Sequence, residues 1–433
     1  MGGGQSGGQS DRRSIRPGRP PRLHGWLHPA VLAVAGISVA TGYAQFGVTA
    51  ALADVAAHFG EPSGGSSIAA QAGLSGTVAG LGLAAIRGAS LASLPIAGSA
   101  DRYGRRSVLL AATAFGLALT ALAALSPSYW WFVAIFALGR PALSAANALA
   151  GVAAAEETRA SDRAKAIGLV AGAYGIGAGL ASLVRALGGS ALGFRGLFGL
   201  ALVPLALLGL LRRRVEEPDR FRTVTRGART RLGSVPTAYV PRLALLSVLA
   251  VAFTVMTGPA NTFLFFYGEG VLGLSAGGMF VGVIGAGVAG FGGLLVGRSA
   301  ADVLGRRATA AATHLGQAVA FAFAYRGGAG ALFAGYILGA ACQGAYGIGF
   351  GALSAEVFPT SVRATAAGWL TVATVLGAVM GLGLFGLLAD SLSGSFAAAA
   401  IWLAAPMGLA AVLLLRLPET RGLELEESAP EPA

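Results

Sequence analysis

Ala97-Gly98-Ser99-Ala100-Asp101-Arg102-Tyr103-Gly104-Arg105-Arg106 is the stretch from which the fold can be read. It is short and polar, and it lies between two long apolar runs, residues 70–97 and 107–125. Its core returns 201 positions later as Asp302-Val303-Leu304-Gly305-Arg306-Arg307, again between apolar runs, 272–297 and 308–325. Glu156 and Arg163 return as Glu356 and Arg363, and Pro218 as Pro418, each 200 positions on. Four anchors at nearly one offset mark an internal duplication, two parallel repeats within one chain.

Working outward, the same kind of apolar run recurs along the whole chain: 29–53, 70–97, 107–125, 130–154, 165–190, 195–211, 241–266, 272–297, 308–325, 329–354, 364–389 and 395–415. Each is about the ~20 residues a helix needs to cross a ~30 Å hydrocarbon layer. They are too long for the ~10-residue strands of a membrane barrel. The expected fold is therefore an all-α integral membrane protein of twelve transmembrane helices, arranged as two pseudo-symmetric six-helix bundles. Composition agrees, since 12% of the 433 residues are charged and 55% hydrophobic, against about 25% and 45–50% in soluble domains. The 68 glycines fit helices whose backbones approach closely in lipid.

A net charge of +12 could suggest a nucleic-acid partner. Its distribution removes that reading. Of the 31 basic residues, 26 lie in the tails or in loops after even-numbered spans, so the charge records orientation, with both termini cytoplasmic. The expected organisation is a disordered cytoplasmic tail over 1–25, a first bundle over 26–211, a basic linker over 212–240, a second bundle over 241–417 and a cytoplasmic tail over 418–433. The first span is too long for a signal core and eleven more follow, so it is expected to be retained. A lone cysteine, Cys342, excludes an intrachain disulfide.

The stretch 97–106 resembles the signature loop of the major facilitator superfamily, over nearly the whole chain when its repeat is included. Ala355-Glu356-Val357-Phe358-Pro359-Thr360-Ser361-Val362-Arg363 and Pro418-Glu419-Thr420-Arg421-Gly422-Leu423-Glu424 are similar to segments of its sugar-porter and organic-acid symporter branches. Ala97 stands where the family usually has Gly, while the Asp-x-x-Gly-Arg-Arg core is intact. The resemblance implies alternating access between two bundles. It also implies a gating latch made by Asp101, Arg102, Gly104, Arg105, Arg106, Asp302, Gly305, Arg306, Arg307, Glu356 and Arg363. Gly104 and Gly305 suit a tight reversal, and the aspartates could pair with neighbouring arginines or sit at a helix N-terminus. Topology alone would explain the arginines, though not the repeated Asp and Gly.

Five basic residues escape the topology rule: Arg87, Arg140, Arg185, Arg195 and Arg326. Arg87 and Arg140 lie about ten residues inside their spans, roughly 15 Å at 1.5 Å per residue. A central Arg costs at least ~2.5–3.5 kcal/mol to insert, so each should face a wet cavity or a partner. No carboxylate is comparably deep, because Asp54, Glu269 and Asp390 lie at span ends. The cavity is therefore expected to be electropositive and to favour an anion. Helical spacing adds Gln45, Asn147 and Asn261 on polar stripes. Gln343, Tyr43 and Trp369 lie deep on helices that line the cavity in the resembled family. Together with Arg87 and Arg140 these form the expected substrate site.

The expected function is secondary active transport of a small polar solute, by proton-coupled symport, from the plasma (inner) membrane, as a monomer in the lipid bilayer. Its partners are a small-molecule substrate and protons, with no nucleic acid and no cofactor. Gly42-Tyr43-Ala44-Gln45 stands where organic-acid symporters carry a mid-membrane Asp, which leaves efflux antiport and facilitated uniport open. A membrane receptor or membrane-embedded enzyme is the remote alternative, disfavoured because the ionisable residues are dispersed and no loop exceeds about thirty residues.

Overall fold

The computed structural model describes residues 23–215, 217, 235–423, 427 and 429, apart from 64, 66, 160 and 393. The expected tail over 1–25 and the linker over 212–240 therefore lie mostly outside the described residues, as does Pro218. Among the described residues, twelve long helices are present: α1 Pro29–Ala50, α2 Gly76–Tyr103, α3 Arg105–Leu125, α4 Tyr129–Glu157, α5 Arg163–Gly189, α6 Ala191–Leu211, α7 Thr237–Thr262, α8 Ala276–Val303, α9 Arg306–Ala324, α10 Ala329–Glu356, α11 Thr360–Ser391 and α12 Phe396–Leu414. Among the described residues, eleven are long and apolar enough to cross a membrane. The exception, α9, opens on Arg306 and Arg307 and carries the fully buried His314 and Gln317.

The helices alternate in direction, so one face of the molecule carries the Arg-rich reversals. It is called the basic face, and the other the opposite face. At the opposite face α2, α4, α8 and α12 each begin on a serine cap, Ser75, Ser128, Ser275 and Ser395, whose hydroxyl accepts a first-turn N–H. The caps move the starts of α2 and α8 to Gly76 and Ala276, several residues later than the apolar runs predict.

The largest departure concerns the signature stretch. Residues 97–103 are not a loop but the last turns of α2. The whole reversal falls on Gly104, at φ 92°, and α3 starts at Arg105. Gly305, at φ 97°, does the same between α8 and α9. A side chain in that backbone region is strained, so one Gly suffices where a longer loop was expected.

Within the first half α1 packs on α5, and α3 on α4; within the second, α7 packs on α11, and α8 and α9 on α10. Of the eleven, α1 is the most deeply buried and α8 the least. The halves meet along α2 with α11 and α5 with α8. Large apolar side chains such as Leu187, Val288, Leu409 and Val412 remain exposed on the outer surface, as expected of helices whose neighbour is lipid. Past the end of α7 the chain does not stop: a single π-type turn, Phe266–Val271, continues it, and a short helix, Leu52–Phe59, similarly extends α1. Together they carry Asp54 and Glu269 beyond the spans.

Candidate functional site

A cavity of about 290 Å³ lies between the halves. The first half contributes Gln45, Phe46, Thr49, Arg87, Arg140 and Tyr174, and the second Phe253, Thr254, Thr257, Asn261, Thr262 and Gln343. The charge is one-sided: among the described residues, two guanidinium groups line it and no carboxylate does. Nε of Arg140 is buried and makes no hydrogen bond. A buried, unpaired donor on a cation is expensive to maintain, and an acceptor inside the cavity would relieve it. The second half instead supplies hydroxyl and amide groups. Asn261 donates from Nδ2 to the Thr257 carbonyl at 2.7 Å, which leaves its Oδ1 to accept. Gln45 donates to the Leu143 carbonyl at 3.3 Å.

Of the eight substrate residues expected from sequence, the lining brings together Gln45, Arg87, Arg140, Asn261 and Gln343. Three lie elsewhere. Tyr43 is buried and donates to the Leu197 carbonyl at 2.6 Å, so it ties α1 to α6. Asn147 is half-buried outside the lining, and Trp369 is 45% exposed on α11. Phe46, Tyr174 and Thr257 join the wall. Tyr346 is buried behind the lining, stacked on Phe253 at 4.2 Å between ring centroids.

At the basic face the two repeats build the same network twice. Arg105 pairs with Glu156 at 2.9 Å in the first half, and Arg306 with Glu356 at 2.9 Å in the second. Asp101 lies 3.4 Å from Arg105 and is mostly exposed, and Asp302 is exposed. Neither aspartate caps a helix. The caps are Glu217, which accepts from the Arg105 and Arg106 N–H groups at 2.6 and 3.1 Å, and Glu419, which accepts from the Arg306 and Arg307 N–H groups at 2.9 and 3.1 Å. A Cβ on Gly104 or Gly305 would lie 2.8 or 2.5 Å from that carboxylate, a second reason for glycine there. Sequence reading missed both caps. Their equivalence is offset by 202, one before the repeated proline and one after it, so a strict 200-residue alignment hides it.

The remaining latch residues bind backbone. Arg106 donates to the Val215 and Arg212 carbonyls, Arg307 to those of Leu415 and Leu417, and Arg363 to those of Ala355 and Phe358. Arg102 lies over the Tyr103 ring. The Arg105–Asp101, Arg105–Glu156, Lys165–Asp162 and Arg306–Glu356 pairs at the basic face each stay within one half. At the opposite face the halves are bound to each other: Asp390 on α11 accepts from the first turn of α2, and Arg185 on α5 pairs with Glu269. These links hold the two halves together at the opposite face.

The Major Facilitator Superfamily profile matches residues 32–325, and the profile described as Sugar (and other) transporter matches residues 230–431. No curated protein matches the chain. Among solved structures, the inward-open xylose transporter XylE from E. coli is similar at 19% identity and a TM-score of 0.72, over 92% of this chain and 98% of that one. A D-xylose-proton symporter is similar at 20% identity and 0.72, over 91% and 98%. The nucleoside transporter NupG is similar at 12% identity and 0.73, over 90% and 99%.

Proposed function

Since the chain belongs to the major facilitator superfamily and is a secondary active transporter, we propose that it carries a small organic anion together with a proton, with the substrate held in the cavity lined by Arg87 and Arg140. The observation that carries this reading is the lining itself, two guanidiniums and, among the described residues, no carboxylate. Arginine presents a planar fork that suits a carboxylate bidentately. The Thr257, Asn261 and Gln343 side chains opposite suit hydroxyl or amide groups on the rest of the solute. A volume of about 290 Å³ is at the small end of the ~300–1,000 Å³ typical of small-molecule sites, which favours a metabolite over a drug-sized cation.

Proton coupling follows from charge. An anion entering a cell that is negative inside works against about 2.3 kcal/mol per 100 mV, and a proton carried with it cancels that term. The similarity to a D-xylose-proton symporter supports the same direction. The basic face is assigned to the cytoplasm by the positive-inside rule, which makes the described state inward-facing, with the protein acting as a monomer in the plasma membrane and both termini cytoplasmic. Opening and closing of the Arg105–Glu156 and Arg306–Glu356 networks is the gating step.

Counterflow in proteoliposomes, with internal pH recorded, tests the reading against panels of organic anions, neutral sugars and cationic drugs. The expected result is exchange of an organic anion with internal acidification, lost in Arg87→Ala and Arg140→Ala at normal protein levels. Exchange of neutral sugars alone, undiminished in both variants, would overturn it.

A further inference from the structure

At the opposite face lies a half-buried charged cluster that the transport cavity does not use. One guanidinium nitrogen of Arg185, Nη2, stands 2.6 Å from Asp54 Oδ1 and 2.7 Å from Glu269 Oε2. Asp54 and Arg185 both belong to the first half, whereas Glu269 sits on the turn that extends α7 in the second. The Arg185–Glu269 contact therefore joins the halves, and the Arg185–Asp54 contact does not. Two carboxylates share one cation, so with both ionised the cluster carries a surplus negative charge. Its remaining polar atoms, Asp54 Oδ2, Glu269 Oε1 and Arg185 Nε, are buried and make no hydrogen bonds. A cavity of about 420 Å³ adjoins them, lined also by Gln71, Gly189, Gly270 and Gly273.

We infer that Glu269 is a proton-binding site that controls the gate at this face. A proton from the solution on that side adds to the free Oε1 of Glu269. The surplus charge is neutralised, Arg185 remains paired with Asp54, and the ionic link between the halves is lost. External acid thereby favours opening toward the opposite face. This goes beyond the transport reading and does not depend on which solute the cavity takes.

The surroundings favour Glu269 as the group that titrates. Burial pushes its carboxyl up to about 7; Arg185 works against that rise and the charge of Asp54 adds to it. From the other elements packed on this turn, the helix Leu52–Phe59 presents Asp54, the short helix Ile68–Ala72 presents Gln71, and the first two turns of α8 present no titratable group. Tyr267, on the same turn, faces the Tyr325 carbonyl. His58 faces away, toward Arg195 Nη2 at 3.3 Å and the Phe194 ring.

The test places spin labels at Glu61→Cys and Arg326→Cys, both exposed at the opposite face in different halves, in a Cys342→Ala background reconstituted in nanodiscs without substrate. Distance distributions are recorded from about pH 8 to about 5.5. The expected result is a longer-distance population that grows as pH falls through about 7, by up to about tenfold in the open-to-closed ratio per pH unit, the limit for one proton. Glu269→Gln should be open throughout the range, and Glu269→Asp should keep a pH response. Asp54→Asn should move the midpoint to lower pH, because the negative charge that favours protonation is gone. His58→Gln should titrate like the parent. A response unchanged in Glu269→Gln, abolished by His58→Gln, or absent from the parent would overturn the proposal. None of these outcomes bears on anion counterflow, so the two readings fail separately.

Discussion

Asp390 and Thr77 bind each other across the two halves of the molecule. The Asp390 carboxylate accepts from Thr77 Oγ1 at 2.6 Å, from the Thr77 N–H at 2.7 Å and from the Gly76 N–H at 2.9 Å. An α11 side chain thus satisfies two of the N–H groups that the first turn of α2 leaves without helical partners, and its charge lies at the positive end of the helix dipole. Such a cap exists only while the opposite face is closed, so it contributes to the closed state and nothing to the open one.

Asp390→Ala is therefore expected to bias the protein toward opening at that face. Loss of an N-cap costs about 0.5–2 kcal/mol, which is a factor of roughly 2–30 in a two-state ratio. In a Cys342→Ala background, Asn261→Cys should be alkylated faster by that factor when an impermeant maleimide is applied from the opposite face. An unchanged rate would mean that the cap does not hold the gate.

The same seam depends on glycine. A Cβ on Gly386 would lie 1.9 Å from the Gly76 carbonyl oxygen, and one on Gly80 would lie 2.5 Å from that of Leu382. These are backbone atoms, so α2 and α11 would have to move apart. Gly386→Val should fold, since neither helix needs that glycine for its own conformation, yet it should not close. Initial uptake should fall by roughly fivefold to a hundredfold or more while substrate still binds from the opposite face. Overpacking of this kind costs about 1–3 kcal/mol, a penalty confined to the closed state.

The caps at the basic face give an acid-sensitive prediction. Burial alone would raise the Glu419 carboxyl, but the N–H groups of Arg306, Arg307, Arg421 and Thr420 outweigh it and hold the carboxyl below its ordinary value. A depressed carboxylate adds stability above the unfolded pKa and loses it as pH falls through the folded one. Thermal unfolding in detergent should accordingly show a destabilisation on the acid side of about pH 4.5 that is smaller in Glu419→Gln, because that variant has already lost the charged cap. An identical acid limb in both proteins would contradict this.

The twelve spans, the repeat and the arginines of the cavity were legible because each is a local signal: a long apolar run, a returning motif, or a charge where lipid forbids one. The misplaced residues follow from helix phase and rise. Tyr43 and Gln45 are two residues apart, about 200° around α1, so they cannot share a face, and Tyr43 turns to α6. Trp369 lies nine residues before Ala378, which lines the cavity. That is about 13 Å along α11 and half a turn around it. The Asp54–Arg185–Glu269 cluster was not legible, because its members come from three distant segments and each alone looks like an ordinary charge at a span end. The duplication showed that Glu156 and Glu356 recur with the arginines, but not that Arg105 and Arg306 pair with them, and the caps, displaced by two residues, fell outside it.

Phase and rise also separate two asparagines that a polar-stripe argument treats alike. Asn147 shares the face of Arg140, seven residues along α4, yet those seven residues carry it about 10 Å toward the basic face, beyond the lining. Asn261 lines the cavity, with Nδ2 engaged by the Thr257 carbonyl and Oδ1 left to accept. A neutral hydrogen bond contributes about 0.5–1.5 kcal/mol, so Asn261→Ala should weaken substrate binding by roughly two- to twelvefold, while Asn147→Ala leaves the affinity unchanged. Titration calorimetry on the purified variants, with the anion identified by counterflow, measures both. If Asn147→Ala were the variant that lost affinity, the site would have to be moved along α4 toward the basic face, away from the two arginines.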